Sequence, residues 1–173
     1  MKALILYRSH YGNTRQVAEA LAGEMKKLGH AAEVRDLRRR LPALKDIDCA
    51  LIGAPTRMAR ATWKARWALR RLRRKGFKAK PLVIFDTYGP LPADPAELEK
   101  DRKWFYPGAA GMLQAKAQKL KLNVFPQTLR CLVQDAKGPL QEGEAEKAAQ
   151  FAREFIIECE KNRGQGTGYR VQV

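Results

Sequence analysis

The 173-residue chain is long enough for one domain with a sizeable core, and it has no run of about 18 consecutive apolar residues, which excludes a membrane-crossing helix. Its 34 Lys and Arg against 18 Asp and Glu give a net charge of +16, which points to anionic partners and says nothing of fold. Cys49, Cys131 and Cys159 are widely spaced, odd in number and mostly set in apolar runs, a pattern that argues against a disulfide framework or a cysteine metal site. Reduced thiols and an N-terminus without a signal-peptide pattern lead to the expectation of a cytoplasmic protein.

Strands and helices alternate along the chain. Residues 2–8 read as a buried strand, because Ala3, Leu4, Ile5 and Leu6 are continuously apolar, as in a sheet covered on both faces. Residues 14–28 follow as a helix, with Val17, Ala18, Leu21, Ala22, Met25 and Leu28 at three- and four-residue spacing and Gly29 as its stop. Residues 31–37 form a second, more polar strand nearer an edge, and 49–56 (CALIGAPT) a third, buried one. A basic helix spans 61–75, and PLVIFDTYG (81–89) is a fourth strand. A Pro-rich stretch at about 90–108 is expected to be an irregular insert, followed by a helix over 109–121, a fifth strand TLRCLV (128–133) and a last helix over 142–161. Residues 162–173 read as a flexible tail, so the domain is expected to span 1–161.

Five strands alternating with helices predict an α/β fold, an open parallel sheet with helices on both faces, whose ligands bind beyond the carboxyl ends of the strands. The segment SHYGNT (9–14), between the first strand and the first helix, fits a phosphate nest. Gly12 permits a close turn, successive N–H groups and the helix N-terminus converge, and Ser9, Asn13 and Thr14 add polar groups. The loop has neither the Lys and longer spacing of a triphosphate loop nor a GxGxxG fingerprint, so a monophosphate suits it best. An ordinary helix cap is the alternative, since Ser, Asn and Thr favour such positions.

These residues resemble the phosphate loop of flavodoxin-like FMN-binding domains, a Ser/Thr-x-x-Gly-x-Thr pattern matched by Ser9, Gly12, Asn13 and Thr14. GAPT (53–56) is similar to the family's second loop and DTYG (86–89) to the start of its third. The resemblance implies a three-layer, doubly wound flavodoxin-like fold with strand order 2-1-3-4-5. It also implies FMN as cofactor, with Ser9, His10, Tyr11, Gly12, Asn13 and Thr14 around the phosphate. Pro55, Thr56, Arg57, Met58, Thr87, Tyr88 and Gly89 would flank the ring. Tyr88 and Trp63 are the aromatic candidates for stacking on it, and Arg57 and Arg60 would favour an anionic reduced flavin.

The sequence departs from well-known flavodoxins in its basic charge and in the 90–108 insert. No carboxylate lies between Asp48 and Asp86. On a helical wheel Trp63 and Trp67 of the basic helix fall among Lys64, Arg70, Arg71 and Arg74, away from an Ala/Leu packing face; they either stack with arginines at the surface or are covered by the insert, a second subunit or a partner. His10 and His30 have no neighbours at metal-ligand or catalytic spacing, and no nucleophile triad or carboxylate pair is visible. Three functions follow. The first is FMN-dependent electron transfer with a redox partner protein, expected to be acidic. The second is an FMN-dependent quinone or small-molecule reductase, expected to dimerise. The third is a flavodoxin-like binding module that uses its basic face for an acidic protein or nucleic acid.

Overall fold

The computed structural model describes residues 1–165. A five-stranded parallel sheet, in the order β2-β1-β3-β4-β5, is formed by β1 (Lys2–Tyr7), β2 (Ala31–Asp36), β3 (Cys49–Pro55), β4 (Leu82–Tyr88) and β5 (Leu129–Leu132). Every neighbouring pair is parallel. The continuous apolar runs lie in β1, β3 and β4, the three central strands, where both faces are covered. The polar β2 is an edge strand with intermediate burial along most of its length.

Each face of the sheet has its own core. On one face α1 (Asn13–Lys27) and α5 (Glu144–Gln165) pack through Val17, Leu21, Met25, Ala148, Ala152 and Phe155 against Ile5, Leu51 and Phe85. On the other, α2 (Trp63–Arg74) and α4 (Gly108–Lys119) pack through Ala65, Leu69, Leu72, Ala109 and Leu113 against Leu4, Ile52 and Ile84. The small residues of α2 and α4 bring these helices close to the strands, leaving their long cationic side chains to point outwards. Buried Glu24 of α1 is bonded to Arg153 of α5, which ties the first and last helices together.

Two expectations change. The Pro-rich insert is not irregular throughout: α3 (Pro95–Phe105) lies within it. The sequence Asp94-Pro95 is a helix start, with the Asp94 carboxylate accepting from the Ala96 N–H at 3.0 Å and Pro95 in the first turn, where it lacks only an N–H that would have no helical partner. The last helix runs to Gln165, beyond the boundary expected at 161, because nothing between Lys161 and Gln165 obliges it to stop: Gly164 alone does not break a long helix. The rest of the expected tail, 166–173, lies outside the described residues. All three cysteines are buried. Among the described residues, no helix is long and apolar enough to cross a membrane and no cluster of His, Cys, Asp or Glu is arranged to hold a metal.

Candidate functional site

The loops that follow β1, β3, β4 and β5 meet at the carboxyl edge of the sheet and enclose one cleft. Its interior space is about 70 Å³, well below the roughly 300–1,000 Å³ usual for small-molecule sites, and it widens directly into open solvent. Ser9, His10, Tyr11, Asn13 and Thr14 line it from the first loop, Pro55, Thr56 and Arg57 from the second, and Thr87, Tyr88 and Gly89 from the third. Residues separated by some 80 positions in sequence are therefore neighbours.

The first loop is built around Gly12, whose φ of +99° lies in the left-handed region that glycine adopts without strain. Gly12 is also the N-cap residue of α1, and no side chain caps that helix. The hydroxyls are used elsewhere: the Gly12 N–H donates to Ser9 Oγ at 3.0 Å, and Thr14 Oγ1 is 2.8 Å from Thr87 Oγ1. This corrects the ordinary-cap alternative, in which the Ser, Asn or Thr side chains would bond the first-turn N–H groups. Asn13 and Thr14 of that first turn line the cleft, an arrangement suited to an anion at the positive end of the helix. Thr14 is buried at 1% exposure, and its hydroxyl fastens the first loop to the third.

The second loop turns sharply. Arg57 and Arg60 exchange both backbone hydrogen bonds, at 3.1 and 2.9 Å, which places Met58 and Ala59 at its tip with φ of 48° and 58°. Left-handed conformations of this kind cost roughly 1 kcal/mol or more each for non-glycine residues and are concentrated at functional sites. Met58 is 77% exposed and lies outside the cleft lining, as do Gly12 and Arg60. Arg57 reaches the rim, with Nη1 at 3.5 Å from His10 Nε2.

Of the two aromatic candidates, Tyr88 lines the cleft and Trp63 does not. Trp63 opens α2 on the solvent side, 64% exposed, with the Lys64 ammonium over its ring at 5.5 Å; the Arg71 guanidinium lies 4.5 Å over Trp67. The insert leaves both tryptophans exposed, which overturns the expectation that it covers them.

Sequence reading missed the charge pair that holds Tyr88. Asp86, at the end of β4, is fully buried and receives Arg130 Nε at 3.0 Å, the Thr56 hydroxyl at 2.7 Å and the Ala110 N–H at 3.1 Å. The Thr56 Oγ1 in turn accepts the Ala109 N–H at 2.7 Å, so the second loop and the carboxylate together satisfy the start of α4. Arg130 also donates to the Phe105 carbonyl and stacks between two rings, 4.1 Å from Tyr88 and 5.0 Å from Tyr106. Burial, reinforced by Tyr106, pushes the Tyr88 phenol above its ordinary pKa and keeps it neutral. A signal was present, an Asp within the buried run of one strand and an Arg on the next, but their pairing depends on strand register. Val133 and Ala136, after β5, also line the cleft and were not anticipated.

A doubly wound parallel sheet with an uncapped nest after its first strand, and further loops closing over it, defines the flavodoxin-like class of α/β proteins. The chain belongs to the flavodoxin domain family, whose model matches residues 4–119. It is 41% identical over 58 residues to protoporphyrinogen IX dehydrogenase (quinone) of Escherichia coli (strain K12), a match covering 33% of this chain and 32% of that protein. The matched region thus spans about a third of that relative's length. Among solved structures, a flavodoxin from the domain Archaea superposes with a TM-score of 0.73 at 18% identity, covering 92% of this chain and 99% of that one. Oxidised Flavodoxin 1 from Bacillus cereus gives 0.67 at 21% identity, covering 91% and 98%.

Two outcomes test the site's electrostatics. The imidazole of His10 is held below its ordinary pKa by desolvation first, then by the positive charges of Arg8, Arg57 and Arg38. An NMR titration should place its midpoint below about 6.5, and Arg57→Gln should move it upwards by removing one repelling charge. Arg130→Gln should lower unfolding free energy in urea by about 3–5 kcal/mol, because it leaves Asp86 charged and buried without its partner. Asp86→Asn combined with Arg130→Gln should lose distinctly less; equal losses would show that the stranded carboxylate is not the cause.

Proposed function

We propose that the cleft binds FMN and that the protein transfers electrons between this cofactor and a partner. The observation that carries the reading is the uncapped N-terminus of α1 opening onto a cleft shared by the loops after β1, β3 and β4. The residues fit the group. Ser9, Gly12, Asn13 and Thr14 would hold the phosphate through backbone N–H groups and short polar side chains, with no carboxylate lining the cleft to repel it. Pro55, Thr56, Thr87, Tyr88 and Gly89 would wall the ring system. Tyr88, fixed on one face by Arg130, would offer a ring in a set orientation. Arg57 would place a positive charge at the rim, favouring an electron-rich ligand. FMN, when bound, supplies the redox chemistry, and the protein supplies position and electrostatics.

A second reading, an FMN-dependent quinone or small-molecule reductase, is favoured by the local identity to protoporphyrinogen IX dehydrogenase (quinone), which covers about a third of each chain. Oxidation of NAD(P)H or reduction of a quinone by the purified protein separates it from a carrier that requires a protein partner.

The FMN assignment predicts that Thr14→Ala, which removes the hydroxyl bonded to Thr87, weakens FMN binding. Losing this bond between the first and third loops should cost about 0.5–1.5 kcal/mol, or up to about tenfold in Kd, and flavin fluorescence titration would read it. Unchanged affinity in both Thr14→Ala and Ser9→Ala would sink the assignment.

The redox partner is expected to present an acidic face to α2, where Arg70 and Arg74 are exposed beside Trp67. Replacing Arg70, Arg71 and Arg74 by Glu should slow partner reduction and reduce its salt dependence while leaving FMN content unchanged, since exposed charges act over ~8–10 Å at ordinary ionic strength. Rates indifferent to both salt and these changes would assign the basic face to solvation alone.

A further inference from the structure

The loop between β5 and α5 forms a fourth wall of the cleft. It folds back as a narrow hairpin, with the Gln134 N–H donating to the Pro139 carbonyl at 2.9 Å, Gly138 N–H to the Asp135 carbonyl at 2.8 Å, and Gln141 N–H to the Leu132 carbonyl at 3.0 Å. Its base is continuous with β4, because the Val133 N–H donates to the Tyr88 carbonyl at 3.0 Å. From there it crosses to the nest. Asn13, the first residue of α1, is 8% exposed, and its amide donates to the Lys137 carbonyl at 3.1 Å. The same amide lies against the backbone of Gly138: a Cβ at that position would stand 2.3 Å from Asn13 Oδ1 and 2.5 Å from Nδ2. Gly138 also has a φ of +104°, so both its shape and its backbone exclude other residues.

We infer that Gly138 is a positioning residue for phosphate recognition: through Asn13 it sets the direction of the first N–H groups of α1, and it thereby gives the site its preference for a phosphorylated flavin. The inference rests on the FMN reading. A helix N-terminus favours an anion only when its N–H groups are aimed at it, and here the first residue of α1 is held through its side-chain amide by the backbone of Lys137 and Gly138. Widening that contact moves Asn13 and leaves the second and third loops, which wall the ring, in place. The tip of the hairpin at Lys137 and Gly138 therefore acts on the phosphate end of the ligand, while its base at Val133 adjoins the ring end.

The test compares FMN with riboflavin, which has the same ring system and no phosphate, by flavin fluorescence titration of Gly138→Ala and Asn13→Ala proteins. Wild-type protein should bind FMN much more tightly than riboflavin. Gly138→Ala should weaken FMN binding by about tenfold, the scale of one charge-assisted hydrogen bond, while changing riboflavin binding by less than about twofold. Asn13→Ala should do the same, and adding Gly138→Ala to it should cost little further FMN affinity, since the two changes disrupt one contact. If Gly138→Ala does not fold, as judged by circular dichroism, Gly138→Asn, whose side chain tolerates a positive φ, takes its place in the same comparison. Equal losses for FMN and riboflavin, no loss for either, or fully additive effects in the double variant would overturn the inference. Absence of FMN binding in the wild-type protein would instead overturn the FMN reading and the inference together.

Discussion

A carboxylate with no access to water organises the carboxyl edge of this sheet. Asp86 sits within the buried run of β4, and a charge there is tolerated because donors from three neighbouring elements are turned towards it. Arg130 supplies the counter-charge from β5, Thr56 a hydroxyl from the loop after β3, and Ala110 an N–H from the start of α4. The consequence reaches beyond the pair. The second loop, the wall residue Tyr88 and the exit of α3 through Phe105 are all held by groups whose own position is dictated by the need to solvate one buried charge.

The periodic parts of the structure were legible in the sequence. Uninterrupted apolar runs marked β1, β3 and β4, whose two covered faces demand them, and the polar composition of 31–37 marked β2 as an edge. The loop 9–14 was legible because its chemistry is local: a glycine, hydroxyls and an amide between a strand and a helix. What was not legible depended on three-dimensional register. The Asp86–Arg130 pair spans 44 positions, and α3 hid behind a composition rich in Pro, because Pro at a helix start and Pro in a loop look alike until a capping Asp is weighed with it. Trp63 was a poor candidate for the cleft because it begins a helix on the solvent side of the sheet. The part of the wall formed by Val133 and Ala136 followed from no motif, since apolar and small residues after a strand carry no sign of a ligand.

The charge is distributed unevenly between the two layers of helices. Residues 49–85 and 102–134 contain no Asp or Glu, and these segments carry α2 and α4, both on one face of the sheet. The other layer holds acidic side chains in its helices: Glu19 and Glu24 in α1 and Glu144 in α5 pair with Arg15, Arg153 and Lys147. Excess positive charge is therefore a property of one side of the molecule, with the two sides separated by the sheet. Mutual repulsion along that side is visible at Lys116, whose ammonium is lowered below its ordinary pKa by desolvation and then by Arg70 and Arg66 across the helix pair and Lys119 on its own helix. Long side chains that point outwards, over a packing face made of Ala and Leu, keep this repulsion in water where it is cheapest.

The bond between Asn13 and Lys137 joins positions 124 residues apart. In a chain that emerges from the ribosome N-terminus first, the nest loop is available well before its anchor, 124 residues later. The sheet can add β2, β3 and β4 to β1 as they appear, but the cleft stays without its hairpin side until residues 137 and 138 have followed β5. Local helix formation at α1 can precede that point; the fixed arrangement around Asn13 cannot, because closure of so long a loop must be paid in entropy before the contact returns any stabilisation. Completion of the cleft is thus a late event in biogenesis, and a truncated chain ending before the hairpin would retain the nest sequence without the geometry that orients it.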